Sequence, residues 1–184
     1  MYKLIVVSMI VLLSGCSSIN YEEPLNGPRA KVRFTSDSES VTVVYGYEDS
    51  NCQGEKEWMR LRKGYLVNSS PKTLNIPFAN NLHENQFKEF YLNSTREYVF
   101  MFIGSNMSYQ KTYSCGVPAK ISIDEGKMYE LSYNYSPQYC TASFFEIKGN
   151  ENSGFQKVKI ADFTNRPAGF GKQCSEMFKK SRMY

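Results

Sequence analysis

The chain has one histidine, His83, in Asn81-Leu82-His83-Glu84-Asn85, and it is the natural place to look for a general base. A nucleophilic triad places its base between a nucleophile and an orienting acid. No Gly-x-Ser-x-Gly supplies the nucleophile, and Phe87 stands where His-Glu-x-x-His would need its second histidine. His83 therefore reads as an exposed loop residue. The tracts Asp37-Ser38-Glu39 and Tyr47-Glu48-Asp49 lack the several oxygens and turn glycine that a calcium loop brings together. They read as solvated turns, as does Asp124-Glu125-Gly126. Gly169-Phe170-Gly171-Lys172 is too short to cradle a phosphate and lacks the Ser or Thr that follows such a lysine. The expectation is a non-catalytic protein with no cofactor and no metal.

Cysteine chemistry is better represented. Of five cysteines, Cys16 stands alone beside an apolar N-terminal run, which leaves Cys52, Cys115, Cys140 and Cys174. An even number in an exported chain reads as two disulfides. A zinc site needs close pairs such as Cys-x-x-Cys, whereas these spacings are 63, 25 and 34 residues with a single histidine available. Four cysteines allow three connectivities, and the sequence does not choose among them. The working expectation pairs sequence neighbours, Cys52 with Cys115 and Cys140 with Cys174.

The N-terminus gives the clearest signal. Met1-Tyr2-Lys3 is a short positive start, followed by Leu4 to Leu13, apolar except for Ser8. Ten helical residues rise only about 15 Å, half of a hydrocarbon core, so the run is a secretory signal and not a span. Leu13-Ser14-Gly15-Cys16 then resembles the bacterial lipoprotein signal. The resemblance implies that the Cys16 thiol receives a diacylglyceryl group, that the chain is cut before it, and that the new amine is acylated. Two or three acyl chains anchor a protein stably where one does not. Ser17 replaces the Asp that resembles an inner-membrane retention signal, which implies the outer membrane. Residues 17–28 are mostly polar, with Pro24, Gly27 and Pro28, and read as a tether. The organisation expected is a signal peptide at 1–15, a lipidated cysteine and tether at 16–28, and one domain at 29–184.

The elements that must position these groups follow a period of two. Residues 1–15 hold one charge, Lys3, so the remaining 169 residues carry 21 basic and 18 acidic side chains, a net charge of +3. That balance is too mild for a nucleic-acid partner. Twelve Phe and fourteen Tyr exclude a disordered chain and suit a sizeable β-core. Ala30–Ser36, Val41–Tyr47, Val117–Ile123 and Tyr129–Tyr135 alternate as half-buried strands do, and Tyr139–Ile147, rich in Phe and Thr, is a further strand. Asp124-Glu125-Gly126 predicts a hairpin over 117–135. Lys88–Leu92 is a further strand. Tyr98–Ile103 is apolar on both faces, as a central strand covered on both sides would be. Residues 64–86 read as loop and Gln173–Lys180 as a short helix. The fold expected is all-β, an antiparallel β-sandwich (immunoglobulin-like or transthyretin-like) of seven or eight strands with little helix.

With its Leu-Ser-Gly-Cys box, Gly27-Pro28-Arg29-Ala30-Lys31-Val32-Arg33-Phe34, Asn51-Cys52-Gln53-Gly54, Cys115, Asp124-Glu125-Gly126-Lys127-Met128-Tyr129-Glu130 and Cys140, the chain resembles a group of small, uncharacterised Gram-negative lipoproteins. That resemblance implies the fold and no catalytic residue. The function expected is a periplasm-facing binding or envelope-assembly module, with the membrane and an envelope protein or glycan as partners. The alternative is a periplasmic inhibitor or immunity-type protein that binds a hydrolytic enzyme. Tyr133, Tyr135 and Tyr139 are the candidate binding aromatics, since tyrosines on an open sheet face stack on sugars or anchor a protein. As β-formers they would instead fill the core.

Overall fold

A computed structural model describes residues 21–39, 41–48, 51–62, 73–83, 85–108, 111–136, 139–164 and 174. Nine strands appear among them: β1 Arg29–Ser36, β2 Val41–Tyr47, β3 Lys56–Arg62, β4 Phe87–Asn93, β5 Tyr98–Ser108, β6 Lys111–Ile121, β7 Met128–Tyr135, β8 Cys140–Asn150 and β9 Gly154–Thr164. They form a five-stranded sheet, ordered β4-β1-β7-β8-β9, and a four-stranded sheet, ordered β3-β2-β5-β6. All neighbours are antiparallel except β1 and β7, which run parallel. The sheets stack as an all-β sandwich, with β3 against β1 and β4 and β6 against β8 and β9. No helix among the described residues is long and apolar enough to cross a membrane.

Alternation puts Val32 and Phe34 of β1, Phe90 and Leu92 of β4, and Leu131 and Tyr133 of β7 inside one sheet. Facing them are Val44 of β2, Leu61 of β3, Phe100 and Phe102 of β5, and Val117 and Ala119 of β6. Rings meet across the gap, Phe34 edge-on to Phe100 at 5.0 Å and Phe102 stacked on Tyr133 at 5.7 Å. Close approach across the gap leaves no room for a side chain at Gly104, where a Cβ would stand 2.6 Å from Tyr133 Cε1. β5 is central and covered on both faces, as its apolar run predicts. Val99 and Met101 point away from the main core and are buried with Tyr47, Cys52 and Cys174 in a second cluster.

Several expectations are corrected. Residues 117–135 do not form a hairpin. Asp124-Glu125-Gly126 is a turn, with Gly126 at φ 75° and its N–H donating to the Arg29 carbonyl, but it carries the chain between sheets. β6 pairs with β5 and β7 with β1 and β8, because alternation fixes which face a strand buries and not its neighbour. The disulfides are Cys52–Cys174 and Cys115–Cys140, with Cα–Cα distances of 5.3 and 6.1 Å. The expected Cys52–Cys115 pair fails on geometry. Cys52 follows Tyr47, which pairs with Val99, whereas Cys115 pairs with Gly104. Five residues of β5 separate those points, about 17 Å, well beyond the roughly 7 Å a disulfide can bridge. Cys115 meets Cys140 because β6 lies against β8 across the sandwich. Tyr21, in the segment expected to be a tether, packs into the folded body. Its ring stacks on Trp58 at 4.1 Å and meets Phe90 edge-on at 5.6 Å.

β3 and β9 are strands that the pattern did not reveal. Residues 73–83 hold only a 3-10 turn, Ala79–Asn81, in keeping with a loop. Cys174 is helical, and the rest of Gln173–Lys180 lies outside the described residues, as do residues 1–20 with Cys16 among them.

Candidate functional site

The outer face of the five-stranded sheet carries a charged cluster that is almost dry. Alternation turns Lys31 and Arg33 of β1, Glu89 of β4, Glu130 of β7 and Phe145 of β8 to this side. Arg33 has no exposed surface, and the Glu89 and Glu130 side chains are 1% and 4% exposed. A guanidinium has five N–H groups in a planar fork, and here all five face acceptors. Nε donates to Glu89 Oε1 at 2.9 Å, Nη1 donates to Glu130 Oε2 at 3.0 Å and to the Pro77 carbonyl at 2.8 Å, and Nη2 donates to the Ile76 carbonyl. Nη2 also stands 2.8 Å from Glu89 Oε1. Lys157 of β9 donates to the other Glu130 oxygen at 2.8 Å.

This cluster clamps a loop. Lys31 Nζ donates to the Leu74 carbonyl at 2.9 Å, and the Leu74 N–H donates to Glu89 Oε2. Residues 74–78 thus cross the sheet from the β4 side to the β9 side, held by their backbone and not by their own side chains. Next to the clamped Pro77, Phe78 lies in the left-handed region at φ 70°, ψ 18°. That conformation costs a bulky residue about 1–2 kcal/mol. Phe78 is nonetheless 43% exposed. Its ring lies 5.7 Å from Lys157 Nζ, and the same ammonium is 5.8 Å from the Phe145 ring. Lys159 Nζ also lies 5.8 Å from the Phe145 ring. Asp162 closes the patch, held below the usual carboxylate range first by the Ser143 hydroxyl, which donates to it at 2.6 Å, and then by Lys159. The result is a patch of two rings and two lysines in which each lysine has its own carboxylate.

The sequence-predicted aromatics do not gather here. Tyr133 is fully buried; its hydroxyl donates to the Cys115 carbonyl at 2.7 Å and accepts from the Gly104 N–H at 3.2 Å. Burial drives that hydroxyl's pKa far above the tyrosine range. It joins the two sheets and, contrary to expectation, offers no surface to a partner. Tyr135 is partly buried against the main core, and Tyr139 is 58% exposed in the β7–β8 turn. His83 is exposed, as expected, with its N–H bonded to Gln86 Oε1 at 3.0 Å. Among the described residues, no group of three or more His, Cys, Asp or Glu side chains is placed to hold a metal. Phe78 lies in a segment without periodicity. Its only sequence signal is the Pro77 before it, a turn mark that does not distinguish an exposed ring from a buried one.

A second feature is a cleft of about 570 Å³ at the β4 edge, lined by Tyr21, Glu22, Glu23, Leu25, Lys88, Glu89 and Phe90. Tyr21 forms its wall, with the hydroxyl donating to the Tyr91 carbonyl at 3.2 Å. Burial lowers the Lys88 pKa from its ordinary value.

Compared with protein-family models, with curated proteins and with solved structures, the chain finds no match.

Proposed function

We propose that this chain is a lipoprotein of the outer membrane, facing the periplasm, that works by non-covalent binding and not by catalysis. Leu13-Ser14-Gly15-Cys16 at the end of an apolar run supports the anchor. The partner proposed is an envelope protein, and Phe78 is the observation that carries this reading. A ring held exposed against its backbone preference by a buried ionic clamp is pre-organised, and pre-organised aromatics make the strongest interface anchors. Balanced charge in the patch favours a protein surface over a polyanion.

The test has two arms. Cell fractionation with mass analysis of the N-terminus should place the chain in the outer membrane with an acylated Cys16. Cross-linking in intact cells should then give a partner band with wild type that Phe78→Ala loses. A free cytoplasmic chain would overturn the location, and equal capture by Phe78→Ala would overturn the binding face. The alternative, inhibition of a hydrolytic enzyme, gains from the same rigid loop, because a fixed knob suits an enzyme cleft. A panel of muralytic enzymes assayed with and without the protein separates the two readings.

A further inference from the structure

Tyr21 fixes where the anchor leaves the folded body. Stacked on Trp58 and bonded to Tyr91, it sits at the rim formed by β3 and β4, the edge strands on one side of both sheets. Only four residues separate it from Cys16. Five residue steps reach about 18 Å at full extension. A headgroup layer takes up roughly 5–8 Å of that reach, because it is half the difference between a whole bilayer and its hydrocarbon core. An acylated Cys16 therefore leaves this rim within about 13 Å of the lipid surface, whatever path the four residues take.

The rim is built for such contact. Leu25 is 88% exposed, the most exposed large apolar side chain among the described residues. It borders the Tyr21–Phe90 cleft. We infer that the β3/β4 rim is a lipid-facing surface, and that in the anchored protein Leu25 enters the headgroup layer of a phospholipid membrane. The inference rests on the reading of Cys16 as lipidated. Glu22 and Glu23 flank the cleft, so attraction to anionic lipid does not drive the contact; the surface suits zwitterionic headgroups, and the contact persists at high salt. The Phe78 patch, at the β8–β9 side of the same sheet, stands roughly four strand spacings away, about 19 Å, and stays clear of the membrane.

The test uses the full-length protein, purified from membranes and reconstituted in phosphatidylcholine vesicles containing brominated acyl chains. Leu25→Trp adds a reporter at the rim, and Tyr139→Trp adds one in the exposed β7–β8 turn on the opposite side; the wild-type signal of Trp58 is subtracted. The expected result is strong bromolipid quenching at position 25 and little at position 139, unchanged at high salt. Aqueous iodide should give the reverse order. An acylated, vesicle-bound protein whose position 25 is open to iodide and untouched by bromolipid would overturn the inference and leave the lipoprotein reading intact. A mature N-terminus without acyl groups would overturn both. Iodide protection at position 25 that grows with protein density, without bromolipid quenching, would assign the rim to a second copy and also overturn it.

Discussion

Replacing Arg33 by Met tests whether the buried ionic clamp holds the Phe78 loop. The change keeps length and apolar stem but leaves Glu89 and Glu130, at 1% and 4% side-chain exposure, without their guanidinium. Breaking a buried pair from one side costs about 3–5 kcal/mol. An upper limit comes from titration. A stranded carboxylate can escape by protonating, at about 1.4 kcal/mol for each pH unit above a reference near 4.3, or about 3.7 kcal/mol at pH 7. Glu130 keeps Lys157, and Glu89 keeps the Leu74 N–H, so one such penalty is the larger share. The Ile76 carbonyl, losing its donor in a buried place, adds about 1 kcal/mol. The expected loss is about 4–5 kcal/mol, comparable to the whole stability of a marginal domain. With a urea slope near 2 kcal/mol/M, the midpoint falls by about 2 M. Trp58, the only tryptophan and buried in the core, reports the transition. Adding Glu89→Gln should recover part of the loss, because the amide oxygen still accepts from Leu74 N–H. Hydrogen exchange at residues 74–78 should accelerate in Arg33→Met before the strands open. A midpoint within 0.5 M of wild type, or strict additivity of the two substitutions, would refute the clamp; about 0.5 M corresponds to 1 kcal/mol at that slope.

Lys88 gives a pH test. Its folded pKa lies below the ordinary 10.5 because burial disfavours the ammonium. Between the lowered value and 10.5 the unfolded chain holds more protons, so stability rises with pH across that window and the penalty is complete below it. Urea midpoints of wild type should therefore climb as pH rises through that window, and Lys88→Met should remove the climb. The two disulfides should differ in worth. Removing Cys115–Cys140, which closes 25 residues, should cost about 3.5 kcal/mol, and removing Cys52–Cys174, which closes 122, about 5 kcal/mol on the chain-entropy model. Paired Cys→Ser variants compared in urea check the order, and unreduced peptide mapping checks the connectivity. Gly104→Ala should lower stability by about 1–3 kcal/mol, since its methyl meets a Tyr133 ring stacked on Phe102; an unchanged thermal midpoint would show that the ring can move.

The strands most legible in the sequence are those whose apolar side chains alternate with polar ones. β1, β2, β6 and β7 alternate because one side packs into the sandwich while polar side chains take the other, and β5 shows its double burial as an unbroken apolar run. β9 escapes notice because it is an edge strand that is largely exposed, so neither face imposes a pattern. β3 escapes because Trp58 and Met59 are buried side by side, next to the register shift opposite Val44 and Tyr45. A bulge puts consecutive residues out of alternation, and the period of two is lost at the point where it would be read. Pairing is a different kind of information. β1 and β7 lie parallel and β6 leaves β7 for the other sheet, and neither choice leaves a mark on local pattern.

The candidate site fails to show in the sequence for a related reason. Arg33 occupies a position that alternation assigns to the wet face of β1, and by composition it is an ordinary surface arginine. It becomes a buried organiser because the segment before β4 folds back over that face, and its partners come from β4, β7 and the loop itself. Those groups lie 56, 97 and 44 residues away in the chain. The tyrosines invite the opposite error: their number suggests a binding surface, yet Tyr133 is a buried tie between sheets. Chemistry on this fold is set by which outward faces become covered. The face that carries Phe78 exists only because a charged cluster was buried to hold the loop that presents it.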